Sequence, residues 1–416
     1  MTYRGLAASA RTGAGGGVAL LGFAIPISTA FDSVVAALVV LAWIVAAPAD
    51  ARQTLRSIIS YKPALLAVLL FVALLASCAY SNAPLKESVS AASKYLDLAL
   101  IPIFMWAAAT PGVRKWALIG FVAAIILNLL VSYGSAIGVW ESLPGLRTYP
   151  RYPIGFRLSV THNFFVSIAA FALLLLAREW RVTRPRAAMF SAALALACIY
   201  NVLFVVIGRT GYVVVAALLI YFAFTVSRSR RSASVAVLVI TSLLAAAYLG
   251  STAFSARMQD VASDLINWRP GASDETSVGQ RIGYYRTTAG LVADHPLTGV
   301  GAGAFETEYR AKVSGTAAPA TSNPHNDYLM IAAQAGLFAL ALLIALYVTL
   351  WREAKRLASR LERDLLRGVV IAFAIGGLFN SFLLDHAEGL FFAWATATLL
   401  SGTFERKGGK PPAPAA

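Results

Sequence analysis

The chain has 416 residues, of which 58% are hydrophobic and only 13% are charged. Charged residues make up about a quarter of a typical soluble domain, and apolar runs near the ~20 residues that cross a bilayer recur along the whole chain, so an ordinary soluble protein is excluded. The formal charge of +15 does not indicate nucleic-acid binding, because the basic residues stand in short connections between the apolar runs. We therefore predict an all-α polytopic membrane protein.

About twelve candidate transmembrane helices follow one another along the chain. They cover residues 15–31, 33–48, 64–80, 95–110, 116–139, 163–178, 187–207, 211–227, 233–250, 327–351, 367–384 and 388–403. The first two are short and also fit a single re-entrant hairpin. Residues 1–250 thus hold spans one to nine, 251–326 a polar region, 327–403 the last three spans, and 404–416 a disordered tail.

The basic residues are divided unevenly between the two sets of connections. With a cytoplasmic N-terminus, 23 of the 35 Lys and Arg residues fall on the inner side and twelve on the outer side. Such a bias sets the orientation of polytopic proteins. We therefore expect both termini in the cytoplasm, and the polar connections 81–94, 140–162, 208–211 and 251–326, with a short corner near Asp385-His386, on the outer side.

The polar region 251–326 is too long for a structureless loop. Apolar residues recur at helical spacing over 255–268, and again over 277–294. A glycine-rich turn at 296–305 and a flexible Ser/Thr/Ala/Pro stretch follow. We predict a small helical cap that lies over the membrane on the outer side.

A histidine stands where this cap joins the tenth span. Asn323 is a suitable helix cap, and Pro324 suits the first helical turn. His325 is then expected inside that turn, where the positive end of the helix dipole disfavours imidazolium and favours a neutral ring that accepts a proton. The alternative interpretation is an amphipathic residue that only marks the membrane boundary.

Three features together resemble the O-antigen ligase and polymerase superfamily. His325-Asn326, followed after nine residues by Gly336, resembles the signature of that family. The run 295–305, His-Pro-Leu-Thr-Gly-Val-Gly-Ala-Gly-Ala-Phe, is similar to the glycine-rich stretch that precedes the signature, and the Gly-Arg-Thr-Gly turn at 208–211 is similar to one between two spans. With about twelve spans and one large outer loop, the resemblance covers most of the chain.

The resemblance implies a metal-independent glycosyltransferase of the multi-spanning GT-C type that needs no cofactor. Its donor would be an O-antigen glycan on undecaprenyl diphosphate, at the periplasmic face of a Gram-negative inner membrane. A ligase passes the glycan to the outer-core sugar of lipid A–core, whereas a polymerase passes it to another repeat unit. The expected partners are these substrates and the membrane lipids, without nucleic acid.

Three residues carry the catalytic roles that the resemblance implies. His325 would take the proton of the acceptor hydroxyl, and direct attack on the donor would invert the anomeric configuration. Arg209 and Arg281 would stabilise the charge on the departing diphosphate, because planar guanidinium groups bind phosphate bidentately. Gly336 would permit close helix approach below the site.

Further polar side chains are candidates for substrate binding. They are Asn326, Arg286, Arg157, Arg147 and Tyr328. Asn326 is expected to orient the imidazole or a sugar hydroxyl, and Arg286 lies on a different helical face from the preferred Arg281. The arginines of the 147–157 loop alternate with aromatic residues, which suits sugar stacking, phosphate binding or a plain solvated loop.

The remaining histidines and acids are interpreted as structural. His162-Asn163 repeats the His-Asn pair without a glycine at the matching distance, and His295 is expected to cap or pack. No Asp-x-Asp motif stands near the first outer connection, so we predict no metal ion.

Other functions stay open at the level of the sequence. The nearest alternative is the polymerase, and an oligosaccharyltransferase that modifies proteins is disfavoured by the short segment after the last span. A transporter or flippase of lipid-linked glycans should place ionisable residues near the bilayer midplane, where only Asp97 and Asp32 are candidates. Because the polar groups gather at one face, chemistry at the membrane surface is favoured over passage.

Overall fold

A computed structural model provides the fold of the chain. It describes residues 3–110, 112–140, 152–227, 277–316 and 318–404, with residue 148 and scattered positions between 229 and 266. Fourteen α-helices and no β-strand have defined bounds within these residues, which confirms the all-α prediction. The helices are α1 (Tyr3–Ala24), α2 (Thr29–Ser60), α3 (Lys62–Ala76), α4 (Leu85–Ser93), α5 (Asp97–Ala108), α6 (Val113–Ala136), α7 (Ser159–Trp180), α8 (Pro185–Tyr200), α9 (Arg209–Val226), α10 (Ser277–Asp294), α11 (Phe305–Val313), α12 (Asp327–Glu353), α13 (Arg360–Gly376) and α14 (His386–Phe404).

Eight segments of the described chain are long and apolar enough to cross a membrane. They are 29–47, 62–79, 85–108, 113–136, 159–180, 185–205, 209–226 and 327–356. Helices α1, α13 and α14 coincide with three further predicted spans but fall outside these eight. The predicted span 233–250, the first cap helix at 255–268 and most of the tail 404–416 lie outside the continuously described residues.

Helix α7 lies at the centre of the bundle and packs against α8, α9 and α13. Its side chains from His162 to Leu173 are all buried, because its sequence is apolar on every face. The Phe164 ring lies 4.1 Å from that of Phe382 and 4.9 Å from that of Phe373, measured between centroids. This aromatic cluster supports the loop 377–385, which connects α13 to α14.

Helix α12 is broken ten residues after its start. Gly336 has φ +77° and ψ 179°, a conformation that only glycine adopts readily. The glycine-rich turn fills the break: Val300 N–H donates to the Ala333 carbonyl (2.7 Å), and Leu337 N–H donates to the Pro296 carbonyl (2.8 Å). Non-helical backbone at membrane depth is stable when protein groups satisfy it in this way.

The break corrects the role predicted for Gly336. A continuous helix was expected, with Gly336 allowing another helix to come close. A close approach does occur, but its partner is the backbone of the glycine-rich turn, since a Cβ on Gly336 would collide with the Leu297 carbonyl and lie 2.8 Å from Thr298 N. The residue therefore has a structural role, and it holds a turn rather than a helix.

The polar region contains one predicted helix and one unpredicted helix. The expected helix over 277–294 is α10, which packs on α12 and buries Thr288 and Leu291 of the predicted apolar stripe. Helix α11 begins at Phe305, where we expected the end of the turn and then a flexible stretch. It forms because Phe305, Tyr309 and Val313 share one buried face, and because acidic residues in its first turn and basic residues in its last turn suit the helix dipole.

Candidate active site

The candidate site lies where three connections meet at one end of the bundle, which we call the site face. They are 206–208 before α9, 322–326 before α12, and 377–385 before α14. Two of these connections are joined by hydrogen bonds. Asp327 N–H donates to the Gly377 carbonyl (2.8 Å), and its carboxylate accepts from Leu383 N–H (3.0 Å). The position of His325 is therefore fixed by a loop more than fifty residues away.

The prediction that Asn323 caps α12 is wrong, because the cap is Asn326. Asn326 has extended backbone (φ −156°), and its side-chain oxygen accepts from Leu329 N–H at 2.9 Å, as an N-cap residue does. Asn323 instead accepts from His325 N–H (2.8 Å) and from the Ser381 hydroxyl (2.7 Å). His325 therefore precedes the helix, in the left-handed conformation (φ +54°), and does not lie in the first turn.

The His325 ring belongs to a hydrogen-bonded array that the sequence did not predict. Its Nδ1 lies 3.1 Å from Asn380 Oδ1, and Asn380 Nδ2 donates to Asp385 Oδ2 at 3.3 Å. Because the Asn380 amide gives its N–H to the carboxylate, its carbonyl faces the imidazole and accepts from Nδ1–H. This arrangement leaves Nε2 with its lone pair, and no described residue hydrogen-bonds to Nε2.

The environment of Asp385 couples it to the histidine. Burial raises the pKa of the Asp385 carboxyl, while the nearby His325 and Lys94 act in the opposite direction. A carboxylate at this position stabilises a positive imidazole through the intervening amide of Asn380. The array is therefore arranged to support a histidine that gains a proton during a reaction.

The side chains of Asn326 and Tyr328, which lie beside His325, form hydrogen bonds within the protein. Asn326 is buried, and its amide N–H donates to the Leu378 carbonyl (3.0 Å), so both ends of its side chain are bonded within the protein. The Tyr328 hydroxyl donates to the Ala374 carbonyl (2.7 Å). The structure thus places these two predicted substrate-binding residues next to the site, with their polar atoms holding α12 against the end of α13 and the loop 377–385.

Arg209 is the first residue of α9, directly after an extended segment. Gly208 and Gly211 lie so close to Asn163 of α7 that a Cβ on either would collide with the Asn163 side chain. The Asn163 amide also donates to the Val206 carbonyl (3.1 Å). The Gly-Arg-Thr-Gly turn therefore has two glycines because α7 holds it by close contact, and this contact fixes Arg209 at the site face.

Arg281 and Arg209 are neighbours in space, although 72 residues separate them in the chain. Burial lowers the pKa of the Arg281 guanidinium; Tyr285 opposes this shift, and the positive charge of Arg209 adds to it. A guanidinium group carries its positive charge in proteins. No carboxylate of the described residues forms an ion pair with Arg281. Two like charges held together at a partly buried position are ready to bind an anion.

The other predicted arginines do not join this pair. Arg286, on α10, is exposed. Arg157 is committed to the α1–α2 connection: its Nε donates to the Ile25 carbonyl (2.9 Å), and its terminal nitrogen pairs with Asp32 Oδ2 (2.6 Å). Arg147 lies outside the described residues.

None of the remaining histidines hydrogen-bonds to His325 or Asn380 within the described residues. The buried His162 donates from Nε2 to Asn201 Oδ1 (2.9 Å) and accepts from Gly155 N–H (3.2 Å), which agrees with its structural interpretation. His295 is exposed. His386 lies 2.8 Å from Asp32. Within the described part of the chain, no three His, Cys, Asp or Glu side chains come together as ligands for a metal ion.

A polar cavity of about 510 Å³ opens beside the array. Lys86 and Lys94 line it from the α4 segment, and Asn323 and Asp385 line it from the two site loops. Asp385 thus belongs both to the cavity wall and to the array that supports His325. A polar molecule in this cavity is brought next to the histidine.

Asn380, Ser381 and Asp385 are the site residues that sequence reasoning missed. Asn380 and Ser381 lie near the outer end of the eleventh predicted span, 367–384, and Asp385 follows that span directly, so polar residues at the end of an apolar run were the available signal. Nothing in their spacing to His325 indicates that the two loops meet.

Comparison with known proteins supports the predicted resemblance. Residues 194–344 match the protein family described as O-antigen ligase, and the match contains the arginine turn, α10, the glycine-rich turn and His325-Asn326. No curated protein matches the chain. The resemblance predicted from the sequence is confirmed, since residues 194–344 match the model of the O-antigen ligase family, which is consistent with the O-antigen ligase and polymerase superfamily.

Proposed function

We propose that the protein is an O-antigen ligase, a metal-independent and inverting glycosyltransferase of the GT-C type. It transfers an O-antigen glycan from undecaprenyl diphosphate to lipid A–core at the periplasmic face of a Gram-negative inner membrane. The observation that carries the proposal is the array of His325, Asn380 and Asp385 at the same face as Arg209 and Arg281. The family match and the apolar helices, which indicate an inner-membrane protein of lipopolysaccharide synthesis, support it.

His325 is the general base of the proposed reaction. Its Nε2 lone pair accepts the proton of the acceptor hydroxyl, while Nδ1–H stays on the Asn380 carbonyl. The acceptor oxygen forms a bond to the anomeric carbon of the donor on the face opposite the diphosphate. The bond from that carbon to the diphosphate breaks, and the diphosphate keeps the electron pair. One displacement of this kind inverts the anomeric configuration.

Arg209 and Arg281 hold the leaving group. The mutual repulsion of two guanidinium groups at a partly buried position is relieved when a diphosphate lies between them. Guanidinium groups form paired hydrogen bonds to phosphate oxygens, and these bonds strengthen as the bridging oxygen gains charge. The arginine pair therefore stabilises the transition state more than the bound donor, which is the requirement for catalysis.

The acceptor enters through the polar cavity beside Asp385. The cavity, with a volume of about 510 Å³, accommodates a few sugar residues. Its lining of lysine, asparagine and carboxylate groups suits hydroxyl-rich ligands. In this proposal the donor lies at the arginine pair and the acceptor lies in the cavity. The periplasmic assignment of this face is supported by the bias of basic residues toward the other end of the bundle.

Reconstitution of the purified chain tests the proposal. The protein is incubated in vesicles with an undecaprenyl-diphosphate glycan and lipid A–core, with and without EDTA, and the product is analysed by mass spectrometry and NMR. We expect glycosylated lipid A–core with inverted configuration in both samples. Transfer only to a second repeat unit would show a polymerase, and movement of the glycan across the bilayer without bond formation would show a transporter. Loss of activity in EDTA that Mg²⁺ restores would overturn metal independence.

A further inference from the structure

A second cavity, of about 780 Å³, lies between α6, α7, α13 and α14, far from His325. It opens at the end of the bundle where α6 begins and α7 ends, which we call the basic end. Its walls are apolar and include Val122, Ile168, Leu176 and Phe391. Its mouth is polar and contains Arg114, Lys115, Arg184 and Glu362.

The cavity has the depth of one membrane leaflet. Along α6 it is lined from Lys115 to Ile126, a separation of eleven residues, which corresponds to about 16 Å at ~1.5 Å per residue. Half of a ~30 Å hydrocarbon core is about 15 Å. A long narrow apolar groove of this depth fits an acyl chain that lies parallel to the helices, whereas a compact soluble ligand would fill only part of it.

The charges at the mouth indicate the headgroup. Arg114 is paired with Glu362 (3.1 Å), so these two charges offset each other. Lys115 and Arg184 are exposed, and no carboxylate of the described residues forms an ion pair with either. The mouth therefore carries two positive charges in excess. Basic pockets between transmembrane helices at such a position bind anionic lipid headgroups.

We propose that this groove is a binding site for an anionic glycerophospholipid of the leaflet at the basic end. One acyl chain occupies the apolar walls, and the phosphate lies between Lys115 and Arg184. The lipid-linked donor is not the occupant, because the arginine pair proposed to hold its diphosphate is at the opposite end of the bundle. The inference therefore stands apart from the proposed transferase activity, and either can fail without the other.

Lipid binding to the purified full-length chain tests this site. Phosphatidylglycerol and phosphatidylethanolamine with identical acyl chains are titrated into the protein in detergent, and native mass spectrometry measures the bound fraction. We expect phosphatidylglycerol to bind about 25-fold more tightly, because two basic residues at the mouth contribute about fivefold each. Each basic residue near a membrane surface contributes about fivefold to anionic lipid affinity, so the double variant Lys115→Gln/Arg184→Gln should lose about 25-fold for phosphatidylglycerol and little for phosphatidylethanolamine.

Two further variants separate the groove from general surface charge. Arg186→Gln removes an exposed positive charge at the same end but outside the cavity, and should bind both lipids as the wild type does. Ala123→Trp fills the groove without changing charge, and should weaken both lipids together. Equal affinity of the wild type for the two lipids would overturn the proposal. An unchanged phosphatidylglycerol affinity in the double variant would also overturn it. So would a loss of phosphatidylglycerol affinity in Arg186→Gln as large as the loss in the double variant.

Discussion

Replacing Gly336 by alanine tests the broken helix that positions the site. The residue has φ +77° and ψ 179°, and holding a side chain in that conformation costs about 1–3 kcal/mol. The new Cβ would also collide with the Leu297 carbonyl and lie 2.8 Å from Thr298 N, which are backbone atoms and do not move easily. Overpacking of this kind costs about 1–3 kcal/mol more. We expect a total destabilisation of about 4 kcal/mol.

Gly315→Ala is the matched control. Gly315 has the same φ, +77°, but no atom lies within 4 Å of its ideal Cβ position. Its substitution therefore costs only the strain of holding alanine at a positive φ, about 1–2 kcal/mol. The contact between α12 and the glycine-rich turn is present for Gly336 and absent for Gly315, so it should make the Gly336 variant the less stable of the two.

The assay is thermal unfolding of the purified protein in detergent, with transferase activity measured on the same samples. The midpoint should fall slightly for Gly315→Ala and clearly further for Gly336→Ala, which should also lose activity as the turn separates from α12. If the two variants unfolded at the same temperature, the packing of the turn into the helix break would be refuted.

The remaining predictions concern the proposed chemistry, measured as the initial rate of glycan transfer to lipid A–core. His325→Ala should lower the rate by about 10²–10⁴-fold because the base is lost, while the exposed His295→Ala stays near wild type; a normal rate in His325→Ala would refute the base assignment. Arg209→Lys keeps the charge but loses the bidentate geometry and should cost about 10²-fold, whereas Arg310→Lys should be neutral; a small Arg209→Lys effect would reduce Arg209 to an interfacial anchor. Asn380→Leu releases Nδ1–H and should cost about 10²-fold in kcat with little change in KM, so a pure KM effect would contradict its positioning role.

The sequence was sufficient to predict structure wherever that structure depends on neighbouring residues or on the membrane environment. Apolar runs predicted the helices, since an uninterrupted apolar stretch has no other stable form in a bilayer. The stripe of apolar residues in 277–294 predicted α10 with its observed bounds, because helical spacing needs no distant partner. The family-like pattern around His325 and Arg209 was also readable, as it consists of short contiguous motifs.

The sequence was insufficient where a contact with a distant segment determines the role of a residue. Both Asn323 and Asn326 are suitable residues to cap α12. Asn326 is the cap in the structure because the Asn323 side chain is bonded to Ser381, 58 residues further along the chain. Arg157 seemed available to a substrate until Asp32, 125 residues earlier, was found to pair with it. The Asn380 partner of His325 was hidden for the same reason. Such pairings depend on how the helices pack, which periodicity does not specify.

The hydroxyl of Tyr285 links the two halves of the proposed site. It donates to the Leu378 carbonyl (2.7 Å) and lies 3.2 Å from the carbonyl of His325. Arg281 is one helical turn earlier on the same face of α10. Any displacement of α10 that withdraws Arg281 from Arg209 must therefore also detach the helix from the backbone of the histidine. The position of the arginine pair and the backbone that carries His325 are consequently linked through the hydroxyl of one tyrosine.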